Sequence, residues 1–338
     1  MYSTVPVDQE GPYSHDCNFH ARVVNKPRSP VQRYDTLTAR TCSRVSDEKP
    51  SMAPSSVVLL AVAVAASETQ HPLSSETLHP LCNERFLFRQ LLAGRDVAQP
   101  GRASGAQQAR LFSMAKQMQN FMYLVGDAVT RECVAIDACY DPDGVLAAAE
   151  ELGCNVTMAV GTHFHYDHIG HEGVVPGGPG FRIPGLRQLV EPGLVTGYLH
   201  ETELTTAAMQ VGLQREQLSP MRDGDVLRVG TSVELSVIAT PGHSPGGVTL
   251  VAAIDGEQRL VLTGDTIFPG SCGRLDLPGS SVDAMYESLS HLRGALDESL
   301  PLFPGHAYSG AESTVAREKA SGLLRPMTKA QWRRMMAR

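Results

Sequence analysis

Thr162-His163-Phe164-His165-Tyr166-Asp167-His168 places three imidazoles and a carboxylate within seven residues, in the pattern H-x-H-x-D-H. Neutral imidazole and carboxylate are the donors that borderline divalent metals such as zinc, iron and manganese accept, and one metal seldom uses four from so short a stretch. In an extended segment alternate side chains face one side. His163 and His165 therefore address one ion while Asp167 and His168 turn toward a second beside it, and the spacing predicts a two-metal centre. A polar loop with scattered histidines is the blander explanation. Four ligand-type residues directly after the apolar run Val156 to Val160 weigh against it.

Working outward, Phe121 to Val125 and Cys133 to Ile136 read as two strands joined by a short turn. Asp143 to Leu152 reads as an amphipathic helix ended by Gly153, and Val156 to Val160 as the next strand. Strand, helix, strand and then ligands is an α/β arrangement with the site at strand termini. Val174 to Phe181 is rich in Gly and Pro and reads as a loop bordering the mouth of the site. Downstream the same device recurs three times. The run Val233 to Ala239 leads into Thr240-Pro241-Gly242-His243-Ser244-Pro245-Gly246-Gly247, where prolines and glycines hold an imidazole on a tight loop. Leu260-Val261-Leu262 leads into Thr263-Gly264-Asp265-Thr266, and Leu302-Phe303 into Pro304-Gly305-His306. Each of His243, Asp265 and His306 alone reads as a turn residue. Strand ends in a layered α/β fold converge on one edge, so together they join the H-x-H-x-D-H segment.

The motifs T-H-F-H-Y-D-H, T-P-G-H-S-P-G, T-G-D-T-I-F and P-G-H-A-Y carry a resemblance. From about Leu111 to Leu324 the chain resembles the metallo-β-lactamase-fold superfamily, within it the branch of glyoxalase II and the persulfide dioxygenases. The resemblance implies a four-layer αββα sandwich, two mixed sheets face to face with helices outside. It implies that His163, His165 and His243 hold one metal, that Asp167, His168 and His306 hold another, and that Asp265 bridges both. Two zinc ions so placed share a water, lower its pKa and supply hydroxide to a carbonyl, with Asp167 orienting that hydroxide and Asp265 completing the catalytic pair. The implied activity is that of a metallohydrolase, similar to hydroxyacylglutathione hydrolase, acting on a small thioester or ester. The alternative is a mononuclear iron persulfide dioxygenase, in which the positions of His163, His243 and Asp265 bind one Fe(II). A third reading is a metal-binding module without catalysis.

Ile267 to Asp276 is similar to the C-G-R segment of that branch. Arg274, whose planar fork suits a carboxylate, is expected to contact either a substrate carboxylate or the buried loop framework. Tyr308 is expected to donate a hydrogen bond to a bound thiol-peptide or to pack as an aromatic, and Cys272 to be a small packing residue. His171, His200 and His291 read as surface or capping residues. Leu275-Asp276 stands where glyoxalase II has an aromatic pair, and about thirty residues follow His306, where glyoxalase II has a larger helical domain that grips glutathione.

Residues 1–82 are expected to form a disordered leader, since nothing in the first fifty or so has a period that buries a face. Within it, Ser55 to Ala66 is an apolar run of about a dozen residues, too short to span a bilayer comfortably and suited to the h-region of a targeting signal. It belongs either to a bipartite organelle leader or to a signal that follows a true start at Met52; a simple buried helix is the third choice. Over 83–110, the spacing of Asn83 to Leu92 predicts a helix ended by Gly94, followed by a linker from Gln99 to Gln108. A catalytic domain over 111–324 follows, with helices at Ser281 to Leu296 and Ala311 to Leu324, and then a short basic helix within 325–338. A net charge of −7 offers nucleic acid and anionic membranes no general attraction. The expected partner is a small molecule, a glutathione conjugate among the candidates, with no nucleic acid and no stable membrane span. Seven cysteines without a C-x-x-C pair argue against a disulfide framework and a zinc ribbon. They fit a reducing compartment, the cytoplasm or an organelle reached through the leader.

Overall fold

Alternation along single strands builds three apolar layers. In the computed structural model, which describes residues 78–173 and 180–337, Phe121, Tyr123 and Val125 enter one layer while Met122 and Leu124, on the opposite face, enter another. Two six-stranded sheets among the described residues follow from this pattern. The first runs in spatial order through β1 (Phe86–Leu92), β2 (Phe121–Asp127), β3 (Glu132–Ile136), β4 (Asn155–Val160), β5 (Thr196–His200) and β6 (Leu218–Met221). The second holds β7 (Val226–Val229), β8 (Val233–Ala239), β9 (Val248–Ile254), β10 (Glu257–Gly264), β11 (Pro301–Pro304) and β12 (Ser313–Thr314). Both are mixed: β3, β4, β5 and β6 pair in parallel, as do β10 and β11, and the remaining neighbours are antiparallel.

The layer between the sheets joins Phe86, Phe88, Tyr123 and Ile136 to Leu235, Leu250, Leu262 and Phe303. Outside the first sheet lie α1 (Ala106–Met118), α2 (Pro142–Leu152), α4 (Leu186–Val190) and α5 (Leu204–Val211), which bury Phe112, Val145, Leu189 and Ala208; the single turn α3 (Tyr166–Ile169) follows β4. Outside the second lie α6 (Val282–Ala295), α7 (Val315–Ala320) and α8 (Lys329–Met336), packed on Val261 and Leu302 through Met285, Leu292 and Trp332. The result is the four-layer αββα sandwich, with two mixed sheets face to face and helices outside.

Local chemistry sets the ends. Asp141 caps α2 by accepting from the Gly144 amide, and Gly153 closes it in the left-handed conformation. Thr328 and Gln331 form a capping box on α8, whose Trp332 donates to the Val282 carbonyl at 2.7 Å.

The helix expected from Asn83 to Leu92 is instead β1, paired in register from Phe86 with Asp127 to Leu92 with Phe121. Phe86 and Phe88 face the layer between the sheets while Leu87 and Leu91 face the helices. A strand buried on both faces is apolar almost throughout, and its run imitates helical spacing. The expected linker is partly helical, because α1 begins at Ala106 and buries Leu111, Phe112 and Ala115. Ordered structure thus begins well before Leu111. The helix read from Ala311 to Leu324 shrinks to α7, since Ser313 and Thr314 pair with β11. Residues 1–77, with the apolar run 55–66, and residues 174–179 of the Gly/Pro-rich loop lie outside the described residues.

One carboxylate ties the sheets together. Asp127, buried at the end of β2, accepts from the Val129 amide at 2.8 Å and from both amides and both hydroxyls of Thr231 and Ser232, at 2.8–3.0 Å, in the turn between β7 and β8. Gly230, at φ +62°, allows this approach, since a Cβ there would meet the Asp127 side chain and Thr130 Oγ1. Burial opposes the Asp127 charge, but the converging amides outweigh it and hold the carboxyl well below the ordinary aspartate range. Asp127→Asn is expected to lose about 2 kcal/mol of unfolding free energy at pH 7. A depressed folded-state pKa gives stability that is fully present above the unfolded value of about 3.9 and is lost progressively as pH falls from there through the lower folded value. The gap between variant and parent in urea melts should therefore narrow below about pH 4.

Candidate metal centre

The chain leaves β4 at Val160, bends at Thr162 and His163, and is extended again at His165, which stands at the N-cap of α3 with φ −61° and ψ 146°. Asp167 and His168 then lie on the helical turn itself. The change from extended to helical backbone, rather than alternation alone, sends the two pairs in different directions. His243 follows β8, Asp265 follows β10 and His306 follows β11. The structure brings all seven expected residues together, in overlapping groups: His163 with His165 and His243, His163 with His168 and Asp265, and Asp167 with His168 and His306, the donor atoms of each group lying within 4.8 Å of one another.

The outward nitrogens decide what the inward ones are. His243 Nδ1 lies 2.8 Å from the Arg274 carbonyl and His306 Nδ1 lies 2.7 Å from the Met118 carbonyl. A carbonyl only accepts, so each Nδ1 carries the hydrogen and each neutral ring turns an Nε2 lone pair inward. His168 Nδ1 likewise donates to the Asp137 carboxylate at 2.9 Å. Thr162 Oγ1 donates to Asp137 at 2.8 Å and is left to accept from His163 Nδ1 at 3.2 Å. The inward nitrogens then face one another: His168 Nε2 and His306 Nε2 at 3.3 Å, His165 Nδ1 and His243 Nε2 at 2.9 Å. Ring nitrogens this close require a shared positive charge, a proton or a metal ion, between them.

Asp265 stands between the two groups. Its Oδ2 is 3.3 Å from His243 Nε2 and 3.4 Å from His306 Nε2, and its Oδ1 is 3.5 Å from His168 Nε2. That buried Oδ1 has no hydrogen-bond partner, a costly state for a carboxylate oxygen. Glycine makes the approach feasible, since a Cβ on Gly305 would collide with Asp265 Oδ1. Borderline dications fit this donor set and the orphaned oxygen.

The electrostatics of the halves differ. Burial, then the neighbouring rings, hold His163 well below the usual histidine range and bring His165 down to about 4. Burial likewise opposes charge on His168, but Asp265, Asp137 and Asp167 overrule it and push that ring up to about 10. His306 is raised against its burial by Asp265 and Asp167. His163 and His165 are thus held as neutral donors, and the other half lies in a field that favours positive charge.

Several residues that hold the site escaped the sequence reading. Asp137 accepts from the Thr162 amide at 2.7 Å and from His168. It ends the apolar strand β3, so the signal that found Asp265 was there to find it. Asn120 donates to the Asp167 carbonyl at 2.9 Å and its Oδ2 at 3.3 Å, and accepts from the Tyr140 hydroxyl. Buried Glu203 accepts from the amides of Phe164 and Gly246. No local pattern marks Asn120 or Glu203, because their partners are far away in sequence.

Arg274 supports the loop framework through its carbonyl under His243; its guanidinium is 70% exposed and paired with Asp276 at 2.8 Å. Tyr308 is half exposed and stacks on His306, ring centres 4.5 Å apart and 9° from parallel. Cys272 packs beside the third core layer, and burial pushes its thiol up to about 12. His171, His200 and His291 stand apart from the donor groups.

The sequence model of the metallo-beta-lactamase superfamily matches residues 116–319. The chain is 33% identical over 206 residues to hydroxyacylglutathione hydrolase of Rhodospirillum rubrum, covering 61% of this chain and 69% of that one. It is 30% identical over 232 residues to mitochondrial persulfide dioxygenase ETHE1 of Mus musculus, covering 68% and 80%. Among solved structures, ETHE1 from Myxococcus xanthus superposes with a TM-score of 0.55 at 24% identity, over 74% of this chain and 90% of that one; it bears on the fold alone.

Asp137→Ala removes the acceptor that fixes His168 and Thr162. Titration of metal-free protein with zinc is expected to show binding weakened about 10- to 100-fold, with far-ultraviolet circular dichroism unchanged.

Proposed function

Because the chain belongs to the metallo-beta-lactamase superfamily, we propose that it is a metal-dependent hydrolase of a small thioester or ester, similar to glyoxalase II. In this reading His163, His165 and His243 hold one zinc ion, Asp167, His168 and His306 hold a second, and Asp265 bridges both. The observation that carries it is the convergence of five imidazoles and two carboxylates, with inward ring nitrogens 2.9 and 3.3 Å apart, beside the unpartnered Asp265 Oδ1. Zinc bound there supplies a water of lowered pKa and positive charge for a developing oxyanion.

The chain's own residues do the rest. Carbonyls of Arg274 and Met118 and the carboxylate of Asp137 lock three rings in one tautomer, so no reorganisation is needed during turnover. Asp167, steadied by the Asn120 amide, is placed to accept a hydrogen bond from the attacking water and orient it. Tyr308, half exposed on His306, is the proposed hydrogen-bond donor to the thiol carrier, for which a glutathione conjugate is the first candidate. The Arg274 guanidinium can meet a substrate carboxylate only by exchanging it for Asp276. Free thiols at Cys82, Cys133, Cys139, Cys154 and Cys272 support a reducing compartment.

A second reading, a mononuclear iron persulfide dioxygenase using His163, His243 and Asp265, is favoured by one observation: relatives with that name match nearly as well as the hydrolases. Metal analysis with paired assays separates the two. Two zinc ions per chain and release of thiol from lactoylglutathione are expected, with activity lost on chelation and regained on adding zinc. One ferrous ion with oxygen uptake on glutathione persulfide would replace the hydrolase with the dioxygenase. Asp265→Ala is expected to lower turnover by at least about 100-fold and to reduce bound metal in the same preparation.

A further inference from the structure

We infer that Glu203 is a positioning residue that sets the distance between the two chain segments feeding the three-histidine half of the centre. The inference rests on the metal-binding reading above. Glu203 stands at the N-cap of α5, with its side chain buried. Its Oε2 accepts from the Phe164 amide at 2.9 Å and its Oε1 from the Gly246 amide at 2.7 Å. Phe164 lies between His163 and His165, and Gly246 lies three residues after His243. One rigid, planar group therefore connects the backbones that carry all three imidazoles.

Neither amide has a backbone acceptor among the described residues, so without the carboxylate the buried Gly246 amide and the partly buried Phe164 amide would lose their protein acceptor, a state proteins avoid. Gly246 fits against the side chain so closely that a Cβ on it would lie 2.8 Å from Glu203 Cγ and 3.0 Å from Cδ. The hydrogen bonds that steady Asp167, His168 and His306 come from other groups: Asn120, Asp137 and the Met118 carbonyl. Glu203 should therefore govern one half of the centre and leave the other alone. A carboxylate that served only to hold the fold together would not discriminate between them.

The test uses the full chain, freed of metal and titrated with Co(II), whose visible spectrum reports each site's geometry. The parent is compared with Glu203→Ala, Glu203→Gln, His165→Ala and His306→Ala. In Glu203→Ala one of two ions is expected to bind about 10- to 100-fold more weakly, with the spectral change seen in His165→Ala and not that of His306→Ala. Glu203→Gln keeps one acceptor oxygen and should fall between parent and alanine variant; it also carries the test should the alanine variant fail to fold. Both ions weakened alike, or neither, would overturn the role of Glu203. A parent that binds no cobalt would instead remove the metal reading beneath it, before any variant is considered.

Discussion

Imidazole nitrogens held face to face beside buried carboxylates are the constraint on which the rest of the structure depends. Such an arrangement is unfavourable by itself: the rings are largely desolvated, their inward nitrogens crowd one another, and Asp265 keeps an oxygen with no partner. It persists because the outward nitrogens of His168, His243 and His306 are fixed by groups that can only accept, so those three rings cannot turn away by changing tautomer. Electrostatic strain of this kind is relieved by a cation, and the donors are of the type that zinc and iron prefer.

The sandwich supplies the rigidity. Period-two burial on both faces of its central strands leaves little freedom in register, so loops leaving β4, β8, β10 and β11 start from fixed points on one edge. The helices complete the site from outside. The last carbonyl of α1 takes the His306 hydrogen, and the N-terminus of α6 lies under the His243 loop, where Ser281 donates to the Gly242 carbonyl and Ser288 to the Pro241 carbonyl. Packing of the core and orientation of the ligands are thus accomplished by the same elements.

The centre is also asymmetric. In one half His163 and His165 are depressed by burial and by neighbouring rings; in the other, His168 and His306 are raised by carboxylates. That difference bears on whether the centre takes two ions or one, the point on which the hydrolase and dioxygenase readings divide. The relatives carry both activities in their names at similar identity.

The amino-acid sequence by itself determined the superfamily, the layered fold and the seven candidate ligands, because each ligand is a residue of distinctive chemistry placed at the end of a short apolar strand. It misread β1, since a strand buried on both sides carries no alternation to betray it. Asn120, Asp137 and Glu203 were decided only by the tertiary structure, as were the backbone carbonyls of Arg274 and Met118. Their roles depend on partners between 20 and 188 residues away, and a carbonyl has no sequence signature at all. Local order in the chain can specify which atoms are able to bind a metal; only packing determines which way those atoms face.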